Sequence, residues 1–297
     1  DNFIASLSTV SGHLSRDKNM LDKETFLAQY GHLRPGTYDI LSSRYDEEPE
    51  LYFDWNKQSK VPTSVKPFTM SLNQMREIKN LFNQHGLSLE PISLFDFMQS
   101  GIELREFAKF HFSRNISDAL SLIVKVGEKY GFNREELAYC DIKTFQEMYI
   151  AANNPKDIIS RAIKDGKICY EETLKTSLPP LITCPDDVWS FEIAETEPNF
   201  ITQNQVTAKV NKCYLGEDLD GSIVCIPNAD PGFDWLFSSQ IVGLITAWGG
   251  ANSHMAIRAG ELGIPAVIGS GEILYSRWSN AKRLSIDCAS KKVDILE

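Results

Sequence analysis

No stretch of the chain is apolar for long enough to span a membrane. The first residues also lack the basic-then-apolar layout of a secretion signal, and a cytoplasmic location is expected. The chain opens on Asp1 rather than Met, as a segment of a longer protein would. Its six cysteines (Cys140, Cys169, Cys184, Cys213, Cys225, Cys288) are scattered, with no CxxC pair and no Cys/His cluster at zinc-finger spacing. This argues against a disulfide framework or a zinc module and points to reduced thiols. Basic residues are also scarce: 30 Lys and Arg face 40 Asp and Glu, a net charge of −10. A nucleic-acid partner is therefore not expected, although a small phosphorylated ligand needs only a local pocket of donors. Internal repeats and low-complexity tracts are missing. So is a glycine-rich loop that could cradle nucleotide phosphates.

What is present divides the 297 residues into about two domains. Residues 1 to about 178 read mainly as helices. Asp22–Tyr30 has an acidic start and stops at Gly31. In Ser71–His85 a Ser cap precedes Leu72, Met75, Ile78, Leu81 and Phe82 at helical spacing. The run 93–130 reads as two helices, near 101–112 and 117–130, with Ser117 as the second cap, and a short helix is expected near 155–165. The stretch 35–67 reads as an excursion with little regular helix. Pro179 and Pro180 then punctuate the chain. Beyond them, short β-type runs (Val206–Val210, Ser222–Ile226, Ile241–Thr246, Ala266–Ile268, Leu284–Ile286, Val293–Leu296) surround one helix at about 254–262. The expected fold class is α + α/β: a mainly helical domain over 1–183, a linker over 184–200 and a compact β/β/α domain over 201–297.

The glycines that do cluster stand at 249–250, in GGANSHMAIRAGELGIPAVIG. Gly249 and Gly250 have no side chains to block a phosphate, and they allow backbone N–H groups to turn inward. Asn252 and Ser253 can cap the helix that starts near His254. A helix N-terminus offers unpaired N–H groups and a positive dipole end, so a phosphoryl group on His254 would sit where negative charge is favoured. No second histidine or carboxylate lies at ligand spacing, which argues against a metal there. A partly exposed histidine with no task is the alternative.

This stretch resembles the phosphohistidine signature of the swivelling domain in phosphoenolpyruvate-utilising enzymes. That family includes phosphoenolpyruvate synthase, pyruvate phosphate dikinase, rifampin phosphotransferase and enzyme I of sugar phosphotransferase systems. The resemblance is carried by Gly249, Gly250, Asn252, Ser253, His254, Ala256, Ile257, Ala259, Glu261, Gly263, Ile264, Pro265, Ala266, Val267 and Gly269. It extends back through DPGFDWLFSSQIVGLIT (230–246). The family pattern departs at Asn252 (usually Thr), Ala247 (near a usual Glu), Arg258 (usually apolar) and Gly260 (usually Arg). The resemblance implies that His254 accepts a phosphoryl group from ATP. The nucleotide and Mg²⁺ would be held by an ATP-grasp domain, for which this chain has no candidate.

YGHLRPGTYDILSSRYDE (30–47) and LREFAKFHFSRNISDALSLI (104–123) are similar to the central helical region of rifampin phosphotransferase and related small-molecule kinases. That region binds the phosphoryl acceptor. Arg105, Lys109 and Ser113 recur at i, i+4, i+8, and so share a helix face that could take a phosphate or carboxylate. A solvated basic stripe is the other reading. His32, Arg34, Tyr38 and Asp39 surround the Pro35-Gly36 turn and form a candidate binding loop or a plain turn. His13, His85 and His111 have no motif around them. The layout is unlike a pyruvate-binding barrel, and a capsule-biosynthesis glutamine kinase is the favoured specific resemblance. The alternatives are a non-catalytic phosphocarrier or regulatory module, or a fragment of a pyruvate-forming member.

Overall fold

A computed structural model of the chain describes residues 3, 6–56, 67–150, 153–176, 178–179, 182–189, 197–213 and 217–297. The chain forms two compact units. One is drawn from Asp1–Thr37, Arg44–Arg114 and Glu197–Glu297, the other from Tyr38–Ser43 and Asn115–Thr196. The first unit therefore takes residues from both sides of the expected linker at 184–200. Residues 190–196 of that linker, and Pro180 before it, lie outside the described residues.

A seven-stranded mixed sheet organises the first unit. Its strands are β1 (Asn199–Ile201), β2 (Gln205–Asn211), β3 (Ser222–Asn228), β4 (Gly243–Trp248), β5 (Ala266–Ile268), β6 (Arg283–Asp287) and β7 (Lys292–Ile295). They lie in the order β1-β5-β4-β3-β2-β6-β7. The four inner strands β2 to β5 run parallel, with Val224 opposite Leu244 and Leu244 opposite Ala266. Antiparallel β1, β6 and β7 flank them. Strands β3, β4 and β5 are largely buried on both faces, whereas β2 alternates. In β3, Val224 and Ile226 enter one core, and Ile223 and Cys225 the other. The six expected strand runs all form; the short edge strand β1 is an addition.

The larger core joins both ends of the chain. Leu14 of α1 (Val10–Met20) and Phe26 and Tyr30 of α2 (Lys23–Tyr30) pack with Tyr45, Phe53, Trp235 and the sheet residues Leu244 and Ile268. α1 starts where the Thr9 side chain accepts from the Gly12 amide, and α2 where Asp22 accepts from the Thr25 amide. α3 (Pro49–Tyr52) is the only α-helix among the described residues of the expected excursion 35–67. At Gly232 the backbone of Arg34 comes so close that an added Cβ would lie 1.7 Å from the Arg34 carbonyl oxygen. The Tyr45 hydroxyl donates to the Gly232 carbonyl beside it at 2.8 Å. Gly232→Ala is expected to lower stability by about 1–3 kcal/mol, since two backbones would have to part. A thermal melt unchanged from wild type would show that this approach can relax freely.

α4 (Leu72–Gln84) begins at Ser71 with a reciprocal Ser71–Gln74 capping box, as its sequence suggests. It buries none of its residues. One correction concerns the next run: the two expected helices are a single one, α5 (Pro91–Tyr130). Ser117 is buried within it and caps nothing. The polar cluster around it imitates a helix start, but no proline breaks the run, and burial holds the helix straight through.

The second unit contains the end of α5, then α6 (Arg134–Leu137), α7 (Ile142–Ile150) and α8 (Pro155–Leu174). Its core gathers Ile40, Val124, Leu137, Ile159 and Ile163. α8 runs well past the expected end near 165. Among the described residues, no helix is long and apolar enough to cross a membrane.

Candidate functional site

β4, α9 (His254–Leu262) and β5 form a parallel strand–helix–strand unit, and His254 is the first residue of its helix. The turn between β4 and α9 lies at the carboxyl end of a parallel strand, where sheets of this kind place ligands. Ser253 caps the helix by accepting from the Ala256 amide at 3.4 Å, and Gly263 ends it in the left-handed conformation, with φ of 67°. The helix spans the expected residues.

Gly249 has φ of 134°, and a Cβ on it would lie 2.6 Å from the Ala229 Cβ. Glycine is required there by backbone conformation and by packing. Gly250 has open space around it. Asn252 is exposed, and its carbonyl accepts from Arg105 Nη1 at 3.3 Å.

His254 is buried, at 5% exposed, unlike the partly exposed histidine of the alternative reading. Its imidazole lies between two carboxylates. Nε2 bonds Asp234 Oδ2 at 2.8 Å, and Nδ1 bonds Glu106 Oε2. Asp234 belongs to a 3-10 segment, Pro231–Ser238, and also accepts from the Ser11 hydroxyl at 2.6 Å. Glu106 comes from α5, with its other oxygen, Oε1, 3.6 Å from Arg105 Nη1. Burial by itself would lower the imidazole pKa. The charge and hydrogen bond of Asp234, then those of Glu106, outweigh it and push the value up to about 10. Burial likewise pushes the Glu106 carboxyl up, but the His254 hydrogen bond and charge, with Lys109 and Arg105 behind them, leave it below its ordinary value.

The other expected site residues fall into three groups. Arg105 and Lys109 are exposed on either side of buried Glu106 on α5. Ser113, expected to share their face, is buried and donates to the Phe110 carbonyl of its own helix at 2.8 Å. His32 and Arg34 are buried in the first unit, with His32 edge-on to Phe110 at 4.7 Å between ring centroids. Tyr38 and Asp39 belong to the second unit, and Tyr38 is exposed.

Glu106 and Asp234 were not identified from the sequence, although both carried a signal. Asp234 is the only acid in the apolar run Phe233–Phe237. Glu106 falls in helical phase with Phe110, Ser113 and Ser117, which are partly or fully buried along α5. A charge in a buried stripe needs a partner.

Residues 218–291, which include His254 and Asp234, match the family described as PEP-utilising enzyme, mobile domain. Over these residues the chain is thus similar to a mobile domain of the PEP-utilising type. Two relatives give the particular likeness. The rifampicin phosphotransferase of Bacillus cereus is 24% identical over 274 residues, covering 83% of this chain and 31% of the relative. That of Bacillus subtilis is 24% identical over 306 residues, covering 91% of this chain and 33% of the relative. The chain spans about a third of the length of these curated relatives.

Proposed function

We propose that this chain is the acceptor-binding and carrier part of a phosphotransferase in which His254 ferries a phosphoryl group to a small molecule. The observation that carries the reading is the position of His254. It heads a helix within the match to a mobile domain of the PEP-utilising type and bonds the Glu106 carboxylate of a separate helical segment. In this reading residues 201–297 are the moving carrier and 1–183 bind the acceptor. Gly250 and Ser253, together with the first amides of α9, would receive the phosphoryl oxygens. Asn252 would orient them.

Among the described residues, no group of three or more His, Cys, Asp or Glu side chains could hold a metal ion. The reading places Mg²⁺ and ATP on an ATP-grasp partner, a domain of the same polypeptide or another subunit. What this chain supplies is positioning and charge. Arg105 and Lys109 would pull on the phosphoryl group or on the acceptor.

Exposed Phe97, Leu104 and Phe107 lie on the same stretch of α5. They favour an acceptor with a large apolar body, such as the rifampicin named for the relatives, over glutamine.

The test supplies the native nucleotide-binding part with Mg·ATP and offers rifampicin and glutamine in parallel. Mass spectrometry should find an acid-labile phosphate on His254 and a phosphorylated acceptor, both lost in His254→Ala. A labelled histidine with no phosphorylated acceptor would favour a non-catalytic carrier. Phosphorylated acceptor formed by His254→Ala at the wild-type rate would sink the carrier reading.

A further inference from the structure

The two carboxylates around His254 reach it from different parts of the chain. Asp234 lies in the mobile-domain match with His254, whereas Glu106 extends from α5. Each ring nitrogen faces a carboxylate oxygen, so both act as N–H donors and neither offers a lone pair to phosphorus. Glu106 Oε1 is buried and accepts no hydrogen bond. It faces the Arg105 guanidinium at 3.6 Å, so it keeps a charge partner while its hydrogen-bonding capacity stays open to a proton donor.

We propose that this juxtaposition is where the carrier is discharged, with Glu106 taking the acceptor's proton and, with Asp234, holding the imidazole as a cation once its phosphoryl group has gone. The proposal rests on the reading of His254 as the phosphocarrier. In the step, the P–N bond breaks and its electron pair returns to the ring nitrogen. The acceptor hydroxyl oxygen forms the new P–O bond. Its proton passes to Glu106 and from there to the ring, so charge and protons balance. A bare imidazole anion would be a poor leaving group; the neighbouring carboxylates make the ring basic enough to leave protonated.

Recharging requires the opposite conditions. With both ring nitrogens bonded to carboxylates, neither offers a lone pair to a new phosphoryl group. His254 must therefore give up a proton and leave Glu106 before it can be phosphorylated again. Asp234, being part of the carrier, would travel with it. The charged groups around the ring are Glu106 with Arg105 and Lys109 on α5, Asp234 on the 3-10 segment, and the Arg258–Glu261 pair on α9 itself. α1 presents the hydroxyls of Ser11 and Ser15 on that side.

Two measurements test this separately from the carrier reading. The first is ¹⁵N NMR of the histidine-labelled chain, with the His254 signals assigned by their loss in His254→Gln. At pH 8 the ring should show two protonated nitrogens, and Glu106→Gln should move its titration midpoint down by at least one pH unit. A neutral ring at pH 8 in the wild type, or an unmoved midpoint in Glu106→Gln, would overturn the proposal whether or not His254 is ever phosphorylated.

The second measurement follows single-turnover discharge of phospho-His254 to the acceptor. Glu106→Gln should slow it about 100-fold, within the usual range for a lost proton-transfer group, and Glu106→Asp should restore part of the rate. Discharge at the wild-type rate in Glu106→Gln, with a normal pH profile, would equally overturn the role of Glu106. A chain in which His254 never becomes labelled would instead remove the carrier reading and leave the NMR result standing.

Discussion

Raising the pH from 6.5 to 8.5 is expected to destabilise the folded chain by about 2–3 kcal/mol, and His254→Gln is expected to abolish most of that slope. The reason is the difference between the two states of one imidazole. In an unfolded chain it titrates near 6.5; in the fold it titrates at about 10. Below 6.5 both states keep the proton, and the pull of Asp234 and Glu106 on the cation stabilises the fold in full. Above 6.5 the unfolded state lets its proton go while the folded state holds it, so stability falls with every unit until the folded group titrates.

Glu106, whose pKa is lowered mainly by its bond to the same ring, is the other half of one ion pair and adds no separate increment in this window. The window ends at 8.5 for a reason. The thiols of Cys213 and Cys225 are pushed up to about 12 by burial, and would add their own loss of stability above their ordinary value of 9. Urea midpoints at the two pH values, for wild type and His254→Gln, decide the matter. Parallel pH dependence in both proteins would mean that the buried imidazole is neutral.

The turn and helix around His254 were legible in the sequence because they are set locally. A glycine pair, a capping serine and a left-handed glycine stop lie within fifteen residues of His254 and determine the turn and the helix. The sheet was legible for a related reason: strands such as Ser222–Asn228 are apolar runs bounded by turns. What surrounds His254 was not legible, because it is assembled across the chain. Glu106 is 148 residues away from His254, and Ser11 is 223 away from Asp234. Neither distance leaves a mark in local spacing. The same holds for α5, where Asn115, Ser117 and Asp118 look like a helix start and only tertiary burial carries the helix past them. Arg105 and Lys109 were singled out for their regular spacing, whereas the buried acid next to Arg105 is the residue that reaches the histidine.

Arg258→Ala is expected to cost about 3–5 kcal/mol, the range seen when one partner of a buried ion pair is removed. Arg258 is 3% exposed on α9. Its Nη1 donates to Glu261 Oε2 at 2.6 Å and its Nη2 to the Ser15 hydroxyl at 2.7 Å, with Phe237 beneath the guanidinium at 5.8 Å. Glu261 in turn accepts from the Thr9 hydroxyl at 3.0 Å. Two residues of α9 are thus tied to the cap and body of α1. Burial already raises the Glu261 pKa against the pull of Arg258. Without Arg258 that carboxylate would be buried and unpaired, and would protonate or draw in water. Replacing both partners by apolar side chains, as in Arg258→Met with Glu261→Leu, should recover much of the loss, because the desolvation cost of both charges disappears together. A denaturant-based double-mutant cycle measures the coupling directly. A loss below about 1 kcal/mol in Arg258→Ala would place the pair among weak surface contacts and leave α9 held to α1 by apolar packing alone.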